Sequence, residues 1–249
     1  MKILIMFLIF FVVSNSSSAK ELSTHDIFDE GNNLYKEGNY SEAIDMYNKI
    51  LSQGFQNGEI FYNLANAYFR NGSIGYSILY YEKARRFLPR DSELKENLYF
   101  AKTFAQDKIQ EKKPSFLYFI LLSLLNKFTL KEIISLVSIF LSITLLICIC
   151  FLRKKQLTLW RNLSISFVLI LVFLLFLMSL KVKNSTKKTA VMLSQVADIK
   201  SAPSKDATVE FSLHEGTEFL IIESVKDWAK IRLLDAKTGW TEERNFGRI

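Results

Sequence analysis

The stretch Asn63–Gly72, NLANAYFRNG, decides how the first soluble part of this chain is read. Shifted by 34 residues the sequence lies over itself, with residues 24–57 covering 58–91. Asn32 then falls on Asn66, Gly38 on Gly72, Ile44 on Ile78, Tyr47 on Tyr81 and Lys49 on Lys83. Tyr35/Phe69 and Lys36/Arg70 are similar pairs. A period of this length marks a stacked repeat, in which each unit buries its apolar face against the next.

The placement of the matches carries more weight than their number. A helical hairpin needs small residues where its two helices cross, bulky ones between them and a tight turn. Gly31 and Ala65 fill the small site on the first helix, and Ala43 and Ser77 fill it on the second. Gly38 and Gly72 supply the turn. Tyr47 and Tyr81 are the bulky wedges, and Pro89 ends the second unit. NLANAYFRNG and YKEGNYSEAIDMYNKIL (Tyr35–Leu51) thus resemble tetratricopeptide repeats. Glu30, Ile50 and Phe55 depart from that pattern, so the first repeat (within 24–91) is the less regular one. Residues 92–113 read as a capping helix, with Leu94, Leu98, Ala101 and Ala105 on one stripe.

The resemblance implies a protein-binding groove on the first helix of each repeat. In this register it presents Phe28, Asn32, Tyr35 and Lys36, then Tyr62, Asn66, Phe69 and Arg70. An asparagine amide offers donor and acceptor together to a peptide backbone, and aromatics offer apolar anchors. The competing reading packs the aromatics internally and leaves the asparagines only end-capping their neighbours. Phe28 and Glu93 stand where the family's carboxylate clamp has lysines, which argues against a free acidic C-terminus as ligand.

Four apolar stretches follow from composition. Residues 1–19 read as a signal peptide: Lys2, an apolar core Ile3–Val13, and Ser17 and Ala19 before a cleavage site. An uncleaved anchor is the alternative, with the same sidedness. Residues 133–152 and 163–180 carry no charge and are long enough to be transmembrane helices, joined by a loop at 153–162. Residues 115–132 contain a shorter uncharged run, Ser115–Asn126, which suits an interfacial or re-entrant helix. The loop carries Arg153, Lys154, Lys155 and Arg161, yet Lys127, Lys131, Lys181 and Lys183 flank the other ends. Charge counting alone leaves orientation open. The signal peptide favours a cytoplasmic loop and places both soluble parts outside the cytoplasm.

Residues 188–249 switch to short β-branched runs such as TEFLIIESV and WAKIRLL, separated by turn signals, and suggest a five-stranded barrel. Their landmarks resemble the bacterial SH3-like (SH3b) domain. Ile199, Lys200 and Pro203 match its first motif, and Gly216 and Thr217 its second. Trp228, Ile231, Gly239 and Trp240 match the last two. Trp228 and Trp240 are the candidate ligand platforms, although packing is the commoner fate of such residues.

Charge and chemistry exclude some functions. Of the net charge of +7, residues 114–180 supply most, with six Lys/Arg against one Asp/Glu. The soluble parts are near neutral, which argues against nucleic acid as a partner. No nucleophile–base pair stands out, and no cofactor is expected. Cys148 and Cys150 lie in an apolar run, and His214 reads as a surface residue in a turn.

The expected whole is a multi-domain membrane protein: α-helical tetratricopeptide hairpins, two transmembrane helices and a C-terminal all-β SH3-like barrel. That order resembles the BatE-type members of the bacterial aerotolerance (Bat) group. The resemblance implies a non-enzymatic scaffold in the bacterial inner membrane, two-pass, with both soluble domains in the periplasm. Its implied partners are other membrane proteins, namely von Willebrand A-domain proteins, with a MoxR-type ATPase system, in oxygen or stress tolerance. Membrane lipid is the expected surround. A cell-wall sensor binding peptidoglycan through the SH3b domain is the alternative.

Overall fold

The structure is a computed structural model that describes residues 23–109, 115–153 and 158–249. The expected signal peptide (1–19) and residues 154–157 of the expected loop lie outside the described residues. The chain divides into two compact units between Gln56 and Asn57.

The first unit contains one helical hairpin, α1 (Thr24–Glu37) and α2 (Tyr40–Ser52). Ser23 and Asp26 form a capping box that starts α1, satisfying two backbone N–H groups which the helix itself leaves without partners. Gly38, at φ +88°, ends α1 in the left-handed conformation. Gly31 is buried against Tyr47: a Cβ added there would sit 2.8 Å from the tyrosine Cε1. The small site and the wedge expected from the repeat are therefore in direct contact. Ile27, Ala43, Ile44 and Ile50 complete this apolar face.

The second unit begins with a matching hairpin, α3 (Gly58–Arg70) and α4 (Ile74–Phe87), followed by α5 (Ser92–Thr103). Asn57 and Asp91 cap α3 and α5 by accepting from Ile60 N–H and Leu94 N–H. Leu94, Leu98 and Ala101 are buried, as their stripe predicts. The capping helix, however, ends at Thr103 instead of running to 113. Beyond it Asp107 bonds to His214 and Thr217, and Ile109 packs on the sheet core. These long-range contacts hold the segment against the sheet.

α6 (Phe116–Leu125) is a short uncharged helix within the range expected for an interfacial or re-entrant one. α7 (Leu130–Arg153) and α8 (Thr158–Ser185) pack on each other. Within them Leu130–Leu152 and Arg161–Ser185 are long and apolar enough to cross a membrane. Both helices exceed their expected ranges of 133–152 and 163–180. Charge limits the stretch that can sit in hydrocarbon, but it does not end a helix. Lys131, Glu132 and Lys181 are all good helix residues. A capping box starts α7: Thr129 N–H donates to Glu132 Oε2 at 2.8 Å, and Glu132 N–H donates to Thr129 Oγ1 at 3.2 Å.

The C-terminal part is an antiparallel sheet of seven strands: β1 (Thr189–Met192), β2 (Val196–Lys200), β3 (Val209–His214), β4 (Glu218–Val225), β5 (Trp228–Arg232), β6 (Thr238–Glu242) and β7 (Phe246–Arg248). Their order is β3-β2-β6-β5-β4-β1-β7. The expected five-stranded closed barrel is corrected on both counts. β3 and β7 are the two edges and do not pair, so the sheet is not closed. β1 and β7, four and three residues long, are too short to show a two-residue period. Met192, Ile199, Phe219, Ile231 and Phe246 lie in the sheet core.

The second hairpin packs on this sheet through α4, which meets β1 and β7. The approach is close enough that a Cβ on Gly75 would lie 2.6 Å from the Met192 carbonyl oxygen. Only glycine allows a helix to sit so near a strand.

Candidate interaction surfaces

The eight residues expected to line one groove fall four in each unit. In the first unit Asn32 Oδ1 accepts a hydrogen bond from the buried Tyr47 hydroxyl at 2.8 Å. Phe28 lies 6.0 Å from the Tyr47 ring, and Tyr35 meets Tyr40 edge-on at 5.4 Å. These three are half-buried, and Lys36 is exposed. Phe28, Asn32 and Tyr35 thus each contact an aromatic residue of the second helix in their own hairpin.

In the second unit the same pair recurs fifteen residues apart: the Tyr81 hydroxyl donates to Asn66 Oδ1. In each hairpin, then, an asparagine on the first helix accepts a hydrogen bond from a tyrosine on the second. Tyr62, one turn before Asn66, accepts from Asn97 Nδ2 of α5 at 2.8 Å. Burial, reinforced by a hydrogen bond to Glu93, pushes the Tyr62 hydroxyl up to about 12. Asn66, Tyr62, Asn97 and Glu93 thus form a polar track from α3 to α5.

At the far end of that track Phe69 packs against Phe100 and Phe104, with centroids 5.6 and 5.5 Å away. Phe100 and Phe104 meet edge-on at 5.2 Å, and both are more than half exposed. Tyr99 beside them is 75% exposed, and Arg70 is exposed as well. The sequence reading missed Asn97, Phe100 and Phe104 because it treated the third helix only as a cap. The 34-residue register could have found two of them, since it places Phe100 under Asn66 and Phe104 under Arg70.

On the sheet, Trp240 is buried and Trp228 half-buried, with the Lys230 ammonium 5.9 Å from the Trp240 ring centroid. His214 is a correction. It is half-buried rather than on the surface, and it clasps the segment after α5. Its N–H donates to Asp107 Oδ2 at 2.7 Å, its Nδ1 lies 2.9 Å from Asp107 Oδ1, and Thr217 Oγ1 donates to Asp107 at 2.7 Å. Burial alone would raise the Asp107 carboxyl, but these hydrogen bonds outweigh it and hold the group below its ordinary value.

A second polar cluster lies beside it. Glu82 of α4 is buried and accepts from Lys102 of α5 at 2.8 Å. Lys102 also pairs with Glu218 of β4, and Arg85 pairs with Glu82. Burial opposes the charge on Lys102, but the two carboxylates more than offset it and hold the ammonium above its usual range. Burial and the nearby Glu82 push Glu218 the other way, upward. Charges removed from water persist where they are paired in this way.

Among the described residues no three His, Cys, Asp or Glu side chains are grouped to hold a metal ion. Cys148 and Cys150 are free thiols in α7, and His25 pairs with Asp29 at 3.2 Å. Compared with known proteins, the chain matches no family model and no curated relative.

Proposed function

We propose that this protein is a non-enzymatic, membrane-anchored scaffold that binds partner proteins through tetratricopeptide-like hairpins. The observation that carries this reading is the Phe69–Phe100–Phe104 cluster, more than half exposed at Phe100 and Phe104 and adjoining the Tyr62–Asn66–Asn97 track. An apolar anchor beside fixed donors and acceptors is the composition of a peptide-binding hot spot. α7 and α8 act as a two-pass anchor in the bacterial inner membrane, and the soluble parts lie in the periplasm. The C-terminal sheet serves as an SH3b-type module. The arrangement suits a BatE-type role beside von Willebrand A-domain proteins and a MoxR-type ATPase system. Binding of peptidoglycan by the sheet has less support, because Trp240 is buried and Trp228 half-buried.

The test is co-purification from membranes followed by mass spectrometry. Phe100→Ala with Phe104→Ala removes the exposed rings and leaves the Tyr81–Asn66 pair in place. The double variant is expected to lose the main protein partner at least about tenfold, as truncating a hot spot does. Undiminished recovery by a variant with an unchanged melting curve would count against the groove. Sedimentation of the full detergent-solubilised chain with purified cell wall separates the other reading, which predicts binding that survives the same substitutions.

A further inference from the structure

We propose that the end of the α7–α8 hairpin nearest the second repeat carries a binding site for anionic phospholipid headgroups. This rests on the reading of those helices as membrane-spanning. The segment from Leu125 to Glu132, which joins α6 to the first turn of α7, gathers cations from three parts of the chain. Arg90, in the α4–α5 turn, donates to the Lys127 carbonyl at 3.3 Å and pairs with Glu132 at 2.6 Å. Lys181, near the end of α8, donates to the Leu125 carbonyl at 3.1 Å and lies 3.5 Å from Asn126 Oδ1. Arg85 is within electrostatic reach of Lys181. Lys127 and Lys131 lie in the same short segment, both exposed.

The carboxylates nearby do not neutralise this collar. Glu132 is held by Arg90, and Glu82 is shared by Arg85 and Lys102. Among the described residues no carboxylate pairs with Lys127, Lys131 or Lys181. The collar therefore presents surplus positive charge at the point where a lipid headgroup layer begins. Cations near such a surface attract anionic lipid.

The neighbouring surface selects lipid over a soluble anion. Phe128 is exposed between Lys127 and Thr129, and α6 exposes Phe116, Phe119 and Ile120 without any charge of its own. Leu125 at the end of α6 is buried in the cluster with Ile133 and Val137, so this apolar surface is continuous with the hairpin. A phosphate group alone would use the cations and leave the aromatics exposed to water. A diacyl phospholipid uses both.

The full chain in neutral detergent, titrated with phosphatidylglycerol, phosphatidylcholine or inorganic phosphate and read by native mass spectrometry, tests this. Phosphatidylglycerol is expected to bind at least about tenfold more tightly than phosphatidylcholine, and inorganic phosphate should not displace it. Lys127→Gln with Lys131→Gln should weaken phosphatidylglycerol binding roughly tenfold or more, from the loss of two cations at an anionic surface. Lys205→Gln with Lys226→Gln, which removes the same charge from exposed loops of the sheet, should not. Equal affinity for the two lipids, displacement by phosphate, or equal effects of the two double variants would overturn the site. Carbonate extraction of native membranes distinguishes the underlying reading. A chain released by carbonate removes the spanning hairpin and the lipid site together, whereas a retained chain without phosphatidylglycerol preference removes the lipid site alone.

Discussion

At the scale of the residue, the hairpins depend on a few contacts that tolerate little change. Gly31 and Tyr47 are in such contact that a methyl group on the glycine meets the ring. Alanine normally improves a helix by about 1 kcal/mol over glycine. Overpacking typically costs about 1–3 kcal/mol. The net expectation for Gly31→Ala is a loss of about 1 kcal/mol, seen as increased hydrogen exchange across 24–52. In a Tyr47→Leu background the same substitution should be neutral or stabilising, because the ring it strikes is gone; equal costs in both backgrounds would sink the contact as the cause. This pair was legible in the sequence, since small and bulky residues recurred at the repeat period. The Asn–Tyr hydrogen bonds were only half legible. The register put Asn32 on Asn66 and Tyr47 on Tyr81, but nothing in it said that each asparagine faces its own hairpin's tyrosine.

At the scale of the element, the segment Phe104–Ile109 is where local pattern and tertiary partners disagreed. Its residues could have continued α5, and the stripe through Ala105 suggested that they would. Asp107 instead reaches three donors on His214 and Thr217, 107 and 110 residues away in sequence. Period-based reading sees only neighbours on one helix, so a clasp of this range left no signal beyond the lone histidine. Replacing Asp107 by alanine should cost about 1–3 kcal/mol through lost hydrogen bonds to a charged acceptor. It should also raise hydrogen exchange at 104–109 and 214–217 while leaving 24–52 unchanged. The pH dependence has a definite sign. The folded carboxyl lies below its ordinary value of about 3.9, so its contribution is present above that value and is lost as pH falls through the depressed folded one. Acid should therefore loosen this segment in the native chain, and the Asp107→Ala chain should show no such step. A step of equal size in both chains would assign it to another group. The two short strands at one side of the sheet follow the same rule. β1 and β7 gain their place from pairing with each other and, in β1, with β4, a property of partners that a four-residue run cannot announce.

At the scale of the whole molecule, the second unit ties its soluble parts together. α4 packs on β1 and β7, and Lys102 joins Glu82 of one part to Glu218 of the other. Two segments that touch in water must lie on one side of any membrane that the chain between them crosses. An even number of crossings satisfies this, and α7 and α8 supply two helices of the needed length and composition. The contact therefore supports the two-pass reading on grounds independent of charge counting, which the lysines at both ends of the hairpin had left balanced. It does not choose the side; the signal-peptide pattern at residues 1–19 carries that choice. Alkaline phosphatase fused after Ile249 should be active, and a green fluorescent protein at the same position should be dark. A cysteine introduced at exposed Tyr99 should react with an impermeant maleimide in intact cells, because it shares the fusion's compartment. If the fusion reports the cytoplasm and Tyr99→Cys stays protected, the pair has kept its shared side and only the orientation is reversed. If the two reporters fall on opposite sides, the packing of α4 on the sheet cannot exist in the membrane, and the two-pass anchor falls with it.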